Sequence, residues 1–116
     1  MLGTKLFLKN INDLDFEAQC NLLKKILKID VLVFEVNLIN DNICIKVYDG
    51  YVYYQFVFIS SNYDDKYLNI NVSDRIIVCH IFVNNINENS KFFDIEFVQF
   101  INFLLNGDEK IFNNFL

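Results

Sequence analysis

The 116-residue chain contains no proline, no tryptophan, only three glycines and a single histidine. Disordered segments combine low hydrophobicity with high charge, whereas 53% of these residues are hydrophobic, so a folded globular chain is indicated. The three cysteines, Cys20, Cys44 and Cys79, are an odd number and lie far apart, which argues against a disulfide framework. We expect them to be reduced, buried thiols of a cytoplasmic protein.

Motifs that would indicate an enzyme or a cofactor site are also missing. There is no C-x-x-C pair and no H-E-x-x-H, the spacings that bring metal ligands together, and the glycines cannot form a phosphate-binding loop. His80 lies in a strongly apolar stretch, and Cys79, as its neighbour on a strand, would point to the opposite face. We therefore predict no catalytic residue, no metal, no cofactor and no enzymatic activity.

Charge and hydropathy narrow the expected partners. The net charge of −5 and the pI of about 4.6 oppose binding to phosphate backbones, so direct nucleic-acid binding is not expected, whereas a basic protein would be attracted. The longest apolar tracts are interrupted by Glu35, Lys46, Gln55 and Asp94 and never approach the ~20 residues of a membrane span. The apolar run at residues 6–8 is also too short for a signal peptide.

Two segments have helical periodicity. In the first, Asn12 or Asp13 is the predicted N-cap. An apolar stripe runs through Phe16, Cys20, Leu23 and Leu27 and is widened by Leu22 and Ile26. The second is predicted over residues 91–106, capped by Asn89 or Ser90 and ended by Gly107. It is apolar almost all round, so the tail over residues 108–116 is predicted to cover it. Residues 5–9 are predicted as an extra edge strand.

Alternating or continuous apolar patterns predict strands over residues 31–39, 43–48, 51–59, 68–73 and 75–83. Asp49–Gly50 is predicted to form a two-residue type I′ turn that pairs Tyr48 with Tyr51. The last strand is apolar on both faces and is therefore predicted to lie in the interior of the sheet.

Together these elements predict one α+β domain over residues 1–116. Its sheet is expected to be antiparallel, with about five strands in meander order, and with an N-terminal helix and a C-terminal helix packed on it. A three-layer arrangement with helices on both faces is the alternative.

The predicted hairpin sorts its tyrosines onto one face. Because exposed tyrosines are enriched in binding surfaces, we expect this face to contact a partner, with nearby acidic residues contributing. The alternative is that the tyrosines only stabilise the hairpin or are covered by a helix. The predicted partner-binding residues are Lys46, Tyr48, Asp49, Tyr51, Tyr53, Asp64 and Asp65.

In size, acidity and lack of a recognisable site, the chain resembles the small immunity proteins that neutralise bacterial polymorphic or contact-dependent toxins. The resemblance implies a cytoplasmic, non-enzymatic inhibitor that binds a cognate toxin domain, often a basic nuclease, and occludes its active site. No motif carries the resemblance, so no residue is transferred from that family.

Two other functions fit the same sequence. One is a counter-defence inhibitor of a phage or mobile element, similar to anti-CRISPR proteins; the neighbouring gene would distinguish it from an immunity protein. The other is a small enzyme or ligand-binding domain with a site near His80, for which a deep polar pocket around that histidine would be expected. A homodimer joined through an exposed strand edge is also compatible with the pattern.

Overall fold

The computed structural model describes residues 1–61, 66–86 and 94–115, which form four α-helices and five β-strands. The chain divides into two compact units. Residues Met1–Ile29 and Ile86–Leu116 form the helical unit, and Asp30–Asn85 form the sheet unit. The α+β class is confirmed, whereas the packing of the helices on the sheet stays a prediction.

The helical unit begins with two helices, α1 (Thr4–Asn12) and α2 (Phe16–Leu27). The predicted edge strand at residues 5–9 is wrong, because this segment lies within α1, where Thr4, Phe7 and Ile11 are buried at helical spacing. The predicted N-cap is also wrong by two residues or more: Asp15 caps α2 by accepting a hydrogen bond from the Ala18 N–H at 2.8 Å.

The predicted apolar stripe of α2 is wrong at its first residue, whereas three other members of the stripe are buried as predicted. Phe16, expected on the buried stripe, is 58% exposed, while Leu22, Leu23 and Ile26 are buried. The stripe starts one turn later because Phe16 is the first helical residue and directly follows the cap.

The second predicted helix is α3 (Ile95–Asn106), capped by Asp94, whose carboxylate accepts from the Phe97 N–H at 2.9 Å. The predicted caps Asn89 and Ser90 and the predicted first turn lie outside the described residues. Gly107 ends α3 in the left-handed conformation, with φ +71°, as predicted.

The C-terminal segment forms the short helix α4 (Glu109–Asn113) and contributes to an aromatic core of the helical unit. The ring centroid of Phe100 lies 5.0 Å from that of Phe7 and 6.4 Å from that of Phe115. The ring centroids of Phe112 and Phe103 are 5.5 Å apart. All five rings are at most 4% exposed. The predicted covering role of the tail is therefore confirmed for Phe112 and Phe115.

The sheet unit consists of β1 (Val33–Ile39), β2 (Asn42–Tyr48), β3 (Tyr53–Ile59), β4 (Leu68–Ser73) and β5 (Ile76–Phe82), followed by a 3-10 turn at Val83–Asn85. The strand order is β1-β2-β3-β5-β4, and β3 and β5 are parallel. The predicted antiparallel meander is therefore wrong. The predicted interior position of β5 is confirmed, because it pairs with both β3 and β4.

The physical reason lies in the two last strands. β5 is apolar on both faces and gains most from neighbours on both sides, whereas β4 alternates asparagine with apolar residues and tolerates an edge. β5 therefore lies between β3 and β4, and β4, which precedes β5 in the sequence, lies at the edge of the sheet.

The register between β2 and β3 also differs from the prediction. Tyr48 pairs with Tyr53, not with Tyr51, because the connection has four residues, Asp49 to Val52, instead of two. The shift of two residues leaves every side chain on its predicted face, since side chains alternate with period two. The two-residue turn with positive φ at both positions is found at Asn40 (φ +50°) and Asp41 (φ +65°), between β1 and β2.

Candidate functional site

A row of apolar side chains crosses one end of the sheet on a single face. Val33, Tyr48, Tyr53 and Ile76 are direct cross-strand neighbours on β1, β2, β3 and β5. Three of them are well exposed: Val33 at 59%, Tyr53 at 55% and Ile76 at 46%. With strands about 4.8 Å apart, the row spans roughly 15 Å. An exposed apolar row of this length on a sheet is typical of an interaction surface.

The row forms part of an open groove of about 590 Å³. On the same sheet face, the next row contributes Glu35, Lys46 and Gln55, which oppose one another across β1, β2 and β3. We call this surface the tyrosine face; the seven groove residues that it carries are Val33, Glu35, Lys46, Tyr48, Tyr53, Gln55 and Ile76. Its apolar row is therefore bordered by one acidic, one basic and one amide side chain.

The two tyrosines of the row are held in place. Their rings stack with centroids 4.3 Å apart and an interplanar angle of 21°. The Tyr48 hydroxyl also donates a hydrogen bond to the Gly50 carbonyl oxygen at 2.8 Å. A surface that is ordered before binding loses less conformational entropy when a partner docks.

The loop between β2 and β3 is fixed by the carboxylate of Asp49. Its Oδ1 accepts hydrogen bonds from the backbone N–H groups of Val52 at 2.6 Å and Tyr51 at 2.8 Å. These two bonds lower the pKa of Asp49 from its ordinary value of 3.8, and the bond from Val52 has the larger effect. Burial, followed by the nearby charge of Asp49, raises the pKa of Tyr54.

At the tip of this loop, Tyr51 is 66% exposed, and the guanidinium carbon of Arg75 lies 4.9 Å from the centre of its ring. Arg75 belongs to the turn between β4 and β5 and has φ +64°. This cation–π contact joins two connections at the same end of the sheet as the apolar row.

Negative charge concentrates in the sheet unit. Residues 30–85 contain seven acidic and three basic side chains, a net charge of −4, whereas the rest of the chain has eight acidic and seven basic ones. Asp49 directly follows β2, Asp74 lies in the turn between β4 and β5, and Asp30 lies three residues before β1, all at the end of the sheet that carries the apolar row. This end of the sheet therefore combines exposed apolar area with an excess of carboxylates.

The structure brings together most of the predicted partner-binding residues. Lys46, Tyr48 and Tyr53 share the tyrosine face, and Asp49 and Tyr51 lie in the adjoining loop. Asp64 and Asp65 lie outside the described residues. Their described neighbours Ser61 and Lys66 follow the end of β3 and precede the start of β4, which is the opposite end of the sheet from Tyr53.

Sequence reasoning missed Val33 and Ile76. Val33 was predicted within a strand, but its position opposite Tyr48 follows only from the pairing of β1 with β2. Ile76 lies beside Tyr53 only because β5 inserts parallel to β3, which no local pattern indicates. The sequence signal was limited to their place in predicted strands, Val33 in residues 31–39 and Ile76 in residues 75–83.

His80 lies next to Cys79 on β5 and in the same cross-strand row as Cys44. Cys79 and His80 occupy consecutive positions on β5 and therefore face opposite sides of the sheet. Cys44 lies in the same cross-strand row as His80, but β3 separates them, so their backbones are about 10 Å apart. The Cys44 Sγ accepts a hydrogen bond from the Gln55 side-chain amide at 3.6 Å.

Cys44 and Cys79 are buried as predicted, whereas Cys20 is only half-buried. Burial raises the pKa of the Cys20 and Cys79 thiols above the ordinary value. Among residues 1–61, 66–86 and 94–115, no three His, Cys, Asp or Glu side chains converge as a metal site would require. His80 is half-buried and is not among the residues that line the groove on the tyrosine face.

No protein-family model, no curated protein and no solved structure matches this chain. Within the described part of the chain, none of the helices combines the length and apolar character needed to cross a bilayer.

Proposed function

We propose that this chain is a non-enzymatic inhibitor that binds a basic partner protein through the tyrosine face. The observation that carries the proposal is the exposed apolar row of Val33, Tyr53 and Ile76, continued by Tyr48. Leaving such a row in water is unfavourable, at roughly 25 cal/mol per Å² of apolar surface, and a docked partner would recover that free energy.

The chemistry of the face supports a protein as the occupant. Two stacked tyrosines, one of them fixed by a backbone hydrogen bond, provide rigid amphipathic area of the kind found at binding hot spots. The groove is open and spans several strands, which suits the side chains of a macromolecule. The excess of carboxylates at Asp30, Asp49 and Asp74 favours a basic partner and would accelerate association at low salt.

The role that fits these properties is that of an immunity protein, with a toxin domain as the partner. A basic catalytic cleft, such as that of a nuclease, is complementary in charge to the acidic end of the sheet. Docking of the apolar row at its rim would then block access of the substrate. The inhibition is stoichiometric, because the chain supplies surface instead of chemistry.

The experiment starts with capture of the partner from a lysate of the native host at low ionic strength and its identification by mass spectrometry. The affinity of the purified partner is then measured by calorimetry for the wild type, for Tyr53→Ala and for Phe16→Ala. Phe16 is a matched control, because it is an aromatic residue of nearly equal exposure (58% against 55%) that lies on α2.

We expect Tyr53→Ala to weaken binding by about 30-fold, the effect of losing about 2 kcal/mol at a hot spot, and Phe16→Ala to change it by less than about 3-fold. The partner's activity should fall in proportion to added wild-type chain up to a one-to-one ratio. Equal effects of the two substitutions would show that the tyrosine face is not the contact surface. If the captured partner acts in phage defence, the tyrosine face remains the proposed binding surface, but the role of the chain is that of a counter-defence inhibitor.

A further inference from the structure

The second surface with the features of an interface is the outer edge of β4. β4 is the last strand of the sheet order, so this edge has no partner strand among the described residues. Its side chains are also exposed: Ile70 at 51% and Val72 at 72%. A bare edge of this kind presents backbone N–H and C=O groups that can pair with another strand.

β4 lacks the devices that usually protect an edge strand. Its sequence, Leu-Asn-Ile-Asn-Val-Ser, contains no charge and no proline. The opposite edge strand, β1, carries the exposed charged residue Glu35. Charged side chains on an edge oppose strand addition, so β4 is the edge that accepts a partner more readily.

We propose that β4 pairs with β4 of a second copy of this chain in an antiparallel, two-fold symmetric register centred on Ile70. Opposed residues of an antiparallel pair lie on the same face. Leu68 then opposes Val72 of the second copy, and Asn69 opposes Asn71 of the second copy. Apolar residues meet apolar residues on one face, and amides meet amides on the other.

The ends of the strand select this register. When Ile70 lies opposite Ile70 of the second copy, Asp74 comes beside Lys66 of the second copy, and symmetry creates this contact twice. Both residues are exposed; Asp74 directly follows β4, and Lys66 lies two residues before it. A register centred on Asn71 would instead place Asp74 beside Leu68 of the second copy and lose both charge pairs. The strand and its flanks are therefore self-complementary in polarity and in charge.

The pairing does not depend on the proposed function, because it uses a strand that is separated from Tyr53 by β5. It joins the two five-stranded sheets into one continuous sheet and leaves the tyrosine face of each copy available. A dimer would then present two such faces to partners, which increases apparent affinity for a partner that is itself dimeric.

The first test is the mass of the full chain in solution, measured by sedimentation equilibrium between about 5 and 500 µM, a range suited to a micromolar dissociation constant. We expect the mass to rise from 13.8 kDa toward twice that value. Ile70→Lys places two like charges opposite each other and should weaken dimerisation at least tenfold. Ile39→Lys is the matched control: an isoleucine of similar exposure (54%) on the other edge strand, and its replacement should leave dimerisation unchanged.

The second test is a charge swap that reports on the register. In the Asp74→Lys variant, two lysines lie beside each other at each charge pair, and in the Lys66→Asp variant two aspartates do. Each variant alone should therefore be mostly monomeric. An equimolar mixture of these two variants restores both opposite-charge pairs in the heterodimer and should dimerise. Far-UV circular dichroism identifies any variant that fails to fold. The mixture contains only the two variants that are also measured separately, so a dimer that appears only on mixing reports restored charge pairing.

Three results would overturn the proposal: a mass of 13.8 kDa across the whole range, loss of the dimer in Ile39→Lys but not in Ile70→Lys, or a mixture no more dimeric than its components. Tyr53→Ala separates the two proposals. It should weaken partner binding by about 30-fold and leave the dimer intact, whereas loss of the dimer in this variant would place the self-contact on the tyrosine face.

Discussion

Gly3 allows a direct test of the packing in the helical unit, because its substitution by alanine should destabilise the protein although local propensity predicts the opposite. Gly3 precedes α1 with φ −84° and ψ −6°, a conformation that any residue adopts. At such a position, alanine normally stabilises a protein by about 0.4–1 kcal/mol, since it restricts the unfolded chain.

The tertiary structure makes the expected change in stability unfavourable instead of favourable. A Cβ on residue 3 would overlap the carbonyl oxygen of Phe103 and lie 2.8 Å from its carbonyl carbon and 2.9 Å from the Cα of Leu104. These are backbone atoms of α3, which cannot move aside as a flexible side chain can. The Gly3 N–H also donates to the Leu104 carbonyl oxygen at 2.9 Å, and this bond would lengthen if the segments separated.

The expected cost combines two effects. Forcing an extra carbon into a packed site costs about 1–3 kcal/mol, and a weakened hydrogen bond adds about 1 kcal/mol. We therefore expect Gly3→Ala to lower the free energy of unfolding by about 2–4 kcal/mol, which corresponds to a decrease in Tm on the order of 10 °C.

The assay is urea unfolding followed by far-UV circular dichroism, with the midpoint and the slope fitted separately. Lys5→Ala is the control, an exposed position on α1 whose substitution should stay within about 0.5 kcal/mol of the wild type. A Gly3→Ala variant that is as stable as the wild type, or more stable, would refute the close approach of residue 3 to α3.

Two further predictions concern the turns of the sheet unit. Since Asp49 has a pKa below 3.8 in the folded protein, its hydrogen bonds contribute stability above that pH, and the contribution is lost as the pH falls from 3.8 through the lower folded-state pKa. An NMR titration of the Asp49 carboxyl should give a midpoint below 3.8, accompanied by shifts of the Tyr51 and Val52 amides; a midpoint at or above 3.8 would exclude this loop geometry. Asp41→Gly should raise the free energy of unfolding by about 0.5 kcal/mol, because glycine adopts φ +65° without steric cost; lower stability would argue against the tight turn.

Several features were predictable because they depend on residues close together in the chain. The alternation of side chains placed Tyr48 and Tyr53 on one face, and a register error of two residues did not change that result. Gly107 was recognised as a helix end because the left-handed position after a helix favours glycine. The loop of Asp49 was misjudged, since an Asp-Gly pair also fits a longer loop closed by the aspartate side chain.

Other features depend on which segments meet and could not be predicted from local patterns. The parallel insertion of β5 beside β3 brought Ile76 next to Tyr53 and moved β4 to the edge. Gly3 was assigned no role, because the reason for its small size is a backbone remote in sequence. Residues 5–9 formed a helix instead of a strand, since burial of Phe7 among other aromatic rings outweighed a short ambiguous pattern.

The sequence by itself determined the class of the fold, the positions of the five strands that form the sheet, the interior position of β5 and the side-chain composition of each sheet face. Period-two and period-3.6 patterns act over a few residues, so they are legible without a structure. Only the tertiary structure decided the strand order, the apolar row from Val33 to Ile76 and the bare edge at β4. Those features arise from pairing between distant segments, where the free energy of burial selects one arrangement among several that satisfy the same local pattern.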